Sequence, residues 1–239
     1  MARVRLILFD IDGTLVNAGG AGRRALIAAF DELFAPESLD GAERVPFAGH
    51  TDGFIFREMG LAVGVAPESL ALRREEFERT YTDALRKEMR RGDAASRRVL
   101  PGVFPLLETL ENRSDARLGL LTGNVEAGAR IKLGHFDLNR FFPGGGFGDD
   151  AEDRRGVARA ARDDMARRSG IAFDDRDVVV IGDTDQDVDC ARFNGFRSIA
   201  VETGWASPGS LAAAAPDVLF DDLSETEAVL QALLGPDHG

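Results

Sequence analysis

The stretch LILFDIDGTLV, residues 6–16, sets a continuous apolar run directly against two carboxylates. Leu6, Ile7, Leu8 and Phe9 have the unbroken hydrophobicity of a strand buried on both faces of a parallel sheet. Acids at the carboxyl end of such a strand lie on the rim where open α/β sheets bind ligands. In extended chain, positions i and i+2 share a face, so Asp10 and Asp12 can point at one object. Two anions kept close together need a cation or a shared proton.

Working outward, the chain from residue 100 alternates between strand and helix patterns. VFPLLETLEN (103–112) reads as helix, RLGLLTGN (117–124) as a buried strand ending in small polar residues, and VEAGARIKLGHF (125–136) as helix. FFPGGGFGDD (141–150) predicts a short strand at a glycine-rich edge, and GVARAARDDMARRSG (156–170) a helix. DVVVIGDTDQDVDCARFNG (177–195) reads as strand, acidic loop and helix start. RSIAVETG (197–204) and DVLFDD (217–222) are further strands, and a last helix begins near Ser224. This alternation predicts a doubly wound parallel α/β sheet that includes the opening strand.

Residues 23–91 read differently. RRALIAAFDELF (23–34) has apolar residues at helical spacing, and SLALRREEFERTYTDALRKEMRR (69–91) is a long amphipathic stretch with interspersed charge. Between them VPFAGHTDGFIFREMG (45–60) reads as a loop entering a short helix, with Thr51 or Asp52 as its N-cap. No strand signal appears in this block. Glycine-bearing hinges flank it, NAGGAG (17–22) and GDAASRRVLPG (92–102). The expected organisation is an α/β core domain, 1–16 plus 100–239, with an inserted α-helical cap domain, 17–99, able to open and close.

Composition narrows the function. The 239 residues are 44% hydrophobic and 29% charged, the balance of an ordinary globular protein. The formal net charge of −12 argues against a nucleic-acid binder, which needs a basic face. A phosphate substrate is compatible with it if a metal ion supplies local positive charge. The lone cysteine, Cys190, excludes a disulfide framework and a cysteine zinc site. The N-terminal apolar run is too short for a signal peptide, and no stretch reaches the roughly 20 apolar residues of a membrane span. A cytoplasmic protein with no membrane partner is the expectation; the oligomeric state is not legible. Only Lys87 and Lys132 are lysines among the 29 basic residues, so a lysine here hints that a compact ammonium was wanted.

In a parallel sheet all strand carboxyl ends share one edge. FDIDGT, LLTGN and VVVIGDTDQD therefore converge, bringing Asp10, Asp12, Thr122, Asn124, Asp183 and Asp187 to one rim. A lone Asp after a strand is usually a turn former or cap. Four carboxylates from separate strand ends repel one another strongly without a cation.

FDIDGTLV, LLTGN and VIGDTDQD resemble, in order and placement, the first, second and fourth motifs of the haloacid dehalogenase-like hydrolase superfamily. The helical insertion after the first motif is similar to the cap of its phosphoglycolate phosphatase branch. The resemblance implies a Rossmann-like core and a phosphatase that forms an aspartyl-phosphate. It implies that Asp10 is the nucleophile and Asp12 the general acid/base. It further implies a Mg²⁺ cofactor held by Asp10, Asp183 and the backbone carbonyl of Asp12, with Asp187 orienting what surrounds the metal. Thr122, with the N–H groups of Gly123 and Asn124 at a helix N-terminus, would bind phosphoryl oxygens.

The family's third motif is a basic residue, usually a Lys near a K-P dipeptide, and here the chain reads GDDAEDRRGVARAA (148–161). Arg154 or Arg155 could stand in its place, or Lys132 could reach in from the helix after Thr122. The scarcity of lysine favours Lys132, with Arg154 as co-candidate. An acid at position 12 favours phosphoryl transfer over dehalogenation. The expected substrate is a small phosphorylated metabolite, phosphoglycolate-like or a sugar phosphate, met by the GHTDGF loop (His50, Thr51, Asp52) and by Arg57. A sugar phosphomutase and a non-catalytic binding protein retaining the fold are the competing readings. Asp185 and Asp189 read as surface or cap residues, Asp185 also as a minor metal-site candidate.

Overall fold

The computed structural model describes residues 3–91, 96–151, 153–207 and 209–235. Six parallel strands form the main sheet: β1 (Arg5–Phe9), β4 (Ala116–Leu121), β5 (Gly145–Gly146), β6 (Val178–Gly182), β7 (Arg197–Val201) and β8 (Val218–Phe220). Their order is β5-β4-β1-β6-β7-β8, so the opening strand sits near the middle, paired with β4 on one side and β6 on the other. Its apolar run splits by the two-residue period of a strand. Ile7 and Phe9 enter one hydrophobic cluster, with Leu118, Leu120, Val179 and Ile181. Leu6 and Leu8 enter the opposite cluster, with Leu121, Val178 and Val180. This two-sided burial is why β1 shows no polar alternation.

Helices cover both faces. α6 (Val103–Glu111), α7 (Glu126–His135) and α11 (Thr226–Leu234) supply the first cluster through residues such as Leu106, Leu133 and Val229. α8 (Arg154–Ser169) and α9 (Asp185–Phe193) supply the second through Ala158, Met165 and Ala191. α10 (Ser210–Ala214) lies between β7 and β8 in the chain. Among the described residues no helix is long and apolar enough to cross a membrane.

The chain between β1 and β4 adds α1 (Ala21–Phe34), α2 (Asp40–Glu43), α3 (Asp52–Ala62), α4 (Pro67–Leu72) and α5 (Arg74–Arg90). These helices pack round their own cluster, in which Leu26 and Phe30 of α1 meet Ile55, Phe56 and Met59 of α3 and Phe77, Tyr81 and Leu85 of α5. Phe56 stacks on Phe77 with ring centroids 4.1 Å apart.

One expectation needs correcting. The hinges expected on either side of residues 23–91 carry strands instead: β2 (Val16–Ala18) and β3 (Arg97–Val99) pair as an antiparallel ribbon, while residues 23–91 themselves form no strand. Three-residue strands are too short to show an alternation pattern. The ribbon replaces the flexible hinge expected at Asn17 and Ala18. Part of the second predicted hinge, residues 92–95, lies outside the described residues. Arg97 ties the ribbon to the block: its guanidinium donates to the carbonyls of Glu88 (2.6 Å), Met89 (2.9 Å) and Arg91 (2.8 Å) at the end of α5.

Candidate active site

β1, β4 and β6 are neighbours, so their carboxyl ends place Asp10, Thr122 and Asp183 side by side on the rim. The chain doubles back at once after β1: Leu15 and Val16 N–H both donate to the carbonyl of Ile11, at 3.0 and 2.9 Å. The turn needs glycine at position 13, where φ is +88° and a Cβ would lie 2.3 Å from Asp183 Oδ2. The Thr14 hydroxyl completes this wall, donating to Asp183 Oδ1 at 3.2 Å.

Asp10, Asp183 and Asp187 are all buried and offer carboxylate oxygens within 4.8 Å of one another. One guanidinium answers two of them. Arg154 Nη2 lies 2.9 Å from Asp10 Oδ1, and Arg154 donates to Asp187 Oδ1 from Nε at 2.8 Å and also from Nη2. Asp187 Oδ2 accepts from the Thr184 hydroxyl at 2.7 Å and from the Thr184 N–H at 3.1 Å, closing a capping box on α9. Both Asp187 oxygens are thus engaged by protein groups. Among the described residues Asp183 has no ion-pair partner. Burial, then the neighbouring Asp10 and Asp187, push its carboxyl well above the usual range. Burial also raises Asp10, to about 6, with Arg154 opposing and Asp187 and Asp12 reinforcing the rise.

This donor set fits a hard divalent cation. Mg²⁺ takes oxygen ligands, and here the buried Asp183 carboxylate, without an ion-pair partner among the described residues, stands beside Asp10, whose Arg154 is shared with Asp187. The carboxylates of Asp10 and Asp183, with the backbone carbonyl of Asp12, would hold it. Asp185 is exposed and outside the triad.

Asp12 has a different cation. Lys132 Nζ lies 2.5 Å from Asp12 Oδ2 and donates to Asn124 Oδ1 at 2.6 Å. Asn124 Nδ2 donates to Asp12 Oδ2 at 2.9 Å and to Thr122 Oγ1 at 2.7 Å. The preference for Lys132 as the cation facing Asp10 is therefore corrected: Arg154 contacts Asp10, and Lys132 contacts Asp12. α7 projects Lys132 toward the end of β1, whereas Arg154, at the first position of α8, is buried across the rim. Arg155, the next residue, points outward to Asp189 at 2.7 Å and lies over the exposed ring of Phe193.

A cleft of about 770 Å³ lies between this rim and the helical block, lined by Asp10, Asp12, Thr122, Lys132, Arg154 and Asp183 among others. The cleft is also lined by Gly123, Asn124 and His50. His50 stacks on Phe54 at 4.3 Å, and burial together with the Arg154 charge holds its imidazole below the ordinary range. Two expected substrate contacts fall elsewhere. Thr51 is buried as the N-cap of α3, its hydroxyl accepting from the Phe54 N–H at 3.2 Å. Arg57 is exposed, pairs with Glu58 at 3.1 Å and does not line the cleft, because its position on α3 faces solvent. Gly123 and Asn124, whose N–H groups were expected to meet phosphoryl oxygens, stand ahead of the N-cap of α7, and the Asn124 N–H donates to Thr122 Oγ1 at 3.3 Å; the Val125 and Glu126 N–H groups at the helix start itself donate to carboxylates of Asp52 and Asp149.

Sequence reasoning missed Arg23, Tyr81 and Trp205, which also line the cleft. Tyr81 sits at core spacing on α5, and Arg23 is one arginine among many. Trp205 carried a usable signal, since it follows the carboxyl end of β7 on the same sheet edge. Thr203 beside it donates to the Gly13 carbonyl at 2.5 Å.

Comparison with known proteins agrees with this geometry. The family described as haloacid dehalogenase-like hydrolase matches residues 7–192. A phosphoglycolate phosphatase of Synechococcus elongatus is 27% identical over 235 residues, covering 96% of this chain and 99% of that protein. A predicted phosphoglycolate phosphatase from Haemophilus somnus has the same fold, with a TM-score of 0.71 at 18% identity over 97% of this chain and 100% of that one. So does a β-phosphoglucomutase from Clostridium difficile, with a TM-score of 0.70 at 13% identity over 96% of this chain and 97% of that one. With its motifs on three adjacent strand ends and a match spanning most of its length, the chain belongs to the haloacid dehalogenase-like hydrolases.

Proposed function

We propose that the protein is a Mg²⁺-dependent phosphatase that hydrolyses a small phosphomonoester through an aspartyl-phosphate on Asp10. The observation that carries this reading is the division of cations across the D-x-D element, Arg154 on Asp10 and Lys132 on Asp12. Two acids with separate partners can do separate work. Asp10 Oδ attacks phosphorus as the bond to the leaving oxygen breaks, and Asp12 gives that oxygen a proton. Asp12 then takes a proton from water as the water attacks the phosphoryl group, releasing phosphate and restoring Asp10. Lys132 and Asn124 orient the Asp12 carboxyl, and the Thr122 hydroxyl lies at the site of the phosphoryl oxygens. Arg154 offsets charge on the nucleophile and the incoming phosphate. Bound Mg²⁺ would supply further positive charge to the phosphoryl group.

The substrate is a small phosphorylated metabolite, a class the phosphoglycolate phosphatase relative also acts on by name. The cleft of about 770 Å³ has room for a sugar phosphate as well as a two-carbon acid. That room favours a second reading, a sugar phosphomutase that returns the phosphoryl group to a sugar.

The deciding experiment is phosphate release from an aryl phosphate, with and without Mg²⁺, for wild type and Asp10→Asn. Metal-dependent turnover that falls by about a thousandfold or more in Asp10→Asn supports the phosphatase reading. Wild-type turnover that appears only with an added sugar phosphate acceptor supports the mutase. Absence of both, with metal still bound, leaves a binding protein.

A further inference from the structure

α7 begins without a capping side chain of its own. Its N-cap is Val125, so the N–H groups of its first turn need acceptors from elsewhere. Val125 N–H donates to Asp52 Oδ2 at 2.9 Å, and Glu126 N–H donates to Asp149 Oδ2 at 2.6 Å. Asp52 belongs to α3 of the inserted block. The block therefore caps the helix that carries Lys132.

The contact is double. The N–H of Asp52 donates to the carbonyl of Gly123 at 2.8 Å. Gly123 lies so close beneath the 49–52 loop that a Cβ there would stand 2.2 Å from the His50 carbonyl oxygen. Asp52 is buried, 6% exposed, so these bonds are sheltered from water. The block also reaches the far end of the same unit: a Cβ on Gly22 of α1 would stand 3.0 Å from Lys132 Nζ. The 123–125 loop is thus held by residues of the helical block, and Gly22 of that block lies close beside the Lys132 ammonium, which itself bonds Asp12 and Asn124.

We propose that Asp52 is a positioning residue, a latch through which seating of the helical block on the rim sets the 122–124 loop and α7, and with them Asn124 and Lys132 against Asp12. The inference rests on the phosphatase reading for its kinetic arm. When the block is seated, Asp12 is held by two partners; when it lifts, Val125 and Gly123 lose theirs and α7 keeps only the Glu126–Asp149 part of its cap. Closure and the readiness of the general acid are one event.

The test compares Asp52→Ala, which deletes the acceptor, with Asp52→Asn, whose side-chain oxygen still accepts from Val125. In Asp52→Ala, kcat for an aryl phosphate with Mg²⁺ falls by about tenfold or more while KM moves by less than about threefold. Amide hydrogen exchange in the metal-free protein speeds up by about tenfold in the 122–133 segment, while β6 and β7 keep wild-type rates. Asp52→Asn returns both readouts to within about threefold of wild type. Wild-type kcat and wild-type exchange at 122–133 in Asp52→Ala would overturn the latch. So would faster exchange spread evenly over the chain, which marks a merely structural residue. Should Asp52→Ala not fold, Val125→Pro deletes the same hydrogen bond from the other side, at a φ of −60° that proline adopts. A wild type without turnover defeats the phosphatase reading alone, since the exchange pattern still decides whether Asp52 holds the loop.

Discussion

Asp52 shows what a buried carboxylate costs. Burial, opposed by Lys132 and by the Val125 N–H, pushes it from its ordinary 3.8 up to about 6. The folded protein then holds this proton more tightly than the unfolded chain does. The associated stability is present below pH 4 and is lost as pH rises through about 6. Asp52→Asn has no such loss. The expected result is equal stability of the two proteins near pH 3, and an advantage for Asp52→Asn approaching about 3 kcal/mol at pH 8. Urea unfolding at the two pH values measures it, and an advantage independent of pH would refute the assignment. The acids of the D-x-D element were legible because they follow an apolar run at a strand end. The choice between Lys132, Arg154 and Arg155 was not, because neighbours in sequence diverge by about 100° on a helix: Arg154 turns inward and Arg155 outward.

Among the elements, β2–β3 and α7 depend most on residues distant in sequence. Arg97 closes the ribbon onto α5 with three bonds to carbonyls at the helix end, of which the Glu88 carbonyl also accepts from the Arg91 N–H. Arg97→Ala removes all three from a buried site, and the expected loss of unfolding free energy is about 1–3 kcal/mol, read by urea denaturation. A surface arginine would change stability by no more than about 0.5 kcal/mol. Long elements were legible from periodicity: β1, β4, β6 and the helices of both layers occur where apolar spacing predicts them. The ribbon was not, since three residues carry too little pattern. Nor was the borrowed cap of α7, because Val125 gives no local signal and the acceptors of the Val125 and Glu126 N–H groups come from 73 and 23 residues away in the chain.

At the scale of the whole molecule, an acidic chain of net charge −12 concentrates three buried carboxylates at one rim. Arg154 offsets Asp10 and Asp187, and the remaining negative charge, centred on Asp183, opposes folding until a further cation joins it. Mg²⁺ that binds only the folded state raises the melting temperature with its concentration, by a free energy of about 2.7 kcal/mol at a hundredfold excess over Kd. Asp183→Asn is expected to melt higher than wild type without metal and to lose most of the Mg²⁺-dependent rise. A scan of melting temperature against MgCl2, with CaCl2 and NaCl as controls, checks this. An equal rise in the variant would place the cation elsewhere.

By itself the sequence determined the parallel sheet, the helices over residues 23–91 and the convergence of Asp10, Thr122 and Asp183. Each follows from short-range pattern: continuous apolar runs make central strands, and parallel strands share a carboxyl edge. Only the tertiary structure decided which cation faces which acid, that Thr51 caps a helix, that Arg57 stands outside the cleft, and that Asp52 crosses from one unit to cap the other. Those outcomes depend on side-chain direction and on contacts between residues far apart in the chain. Local spacing carries no information about either.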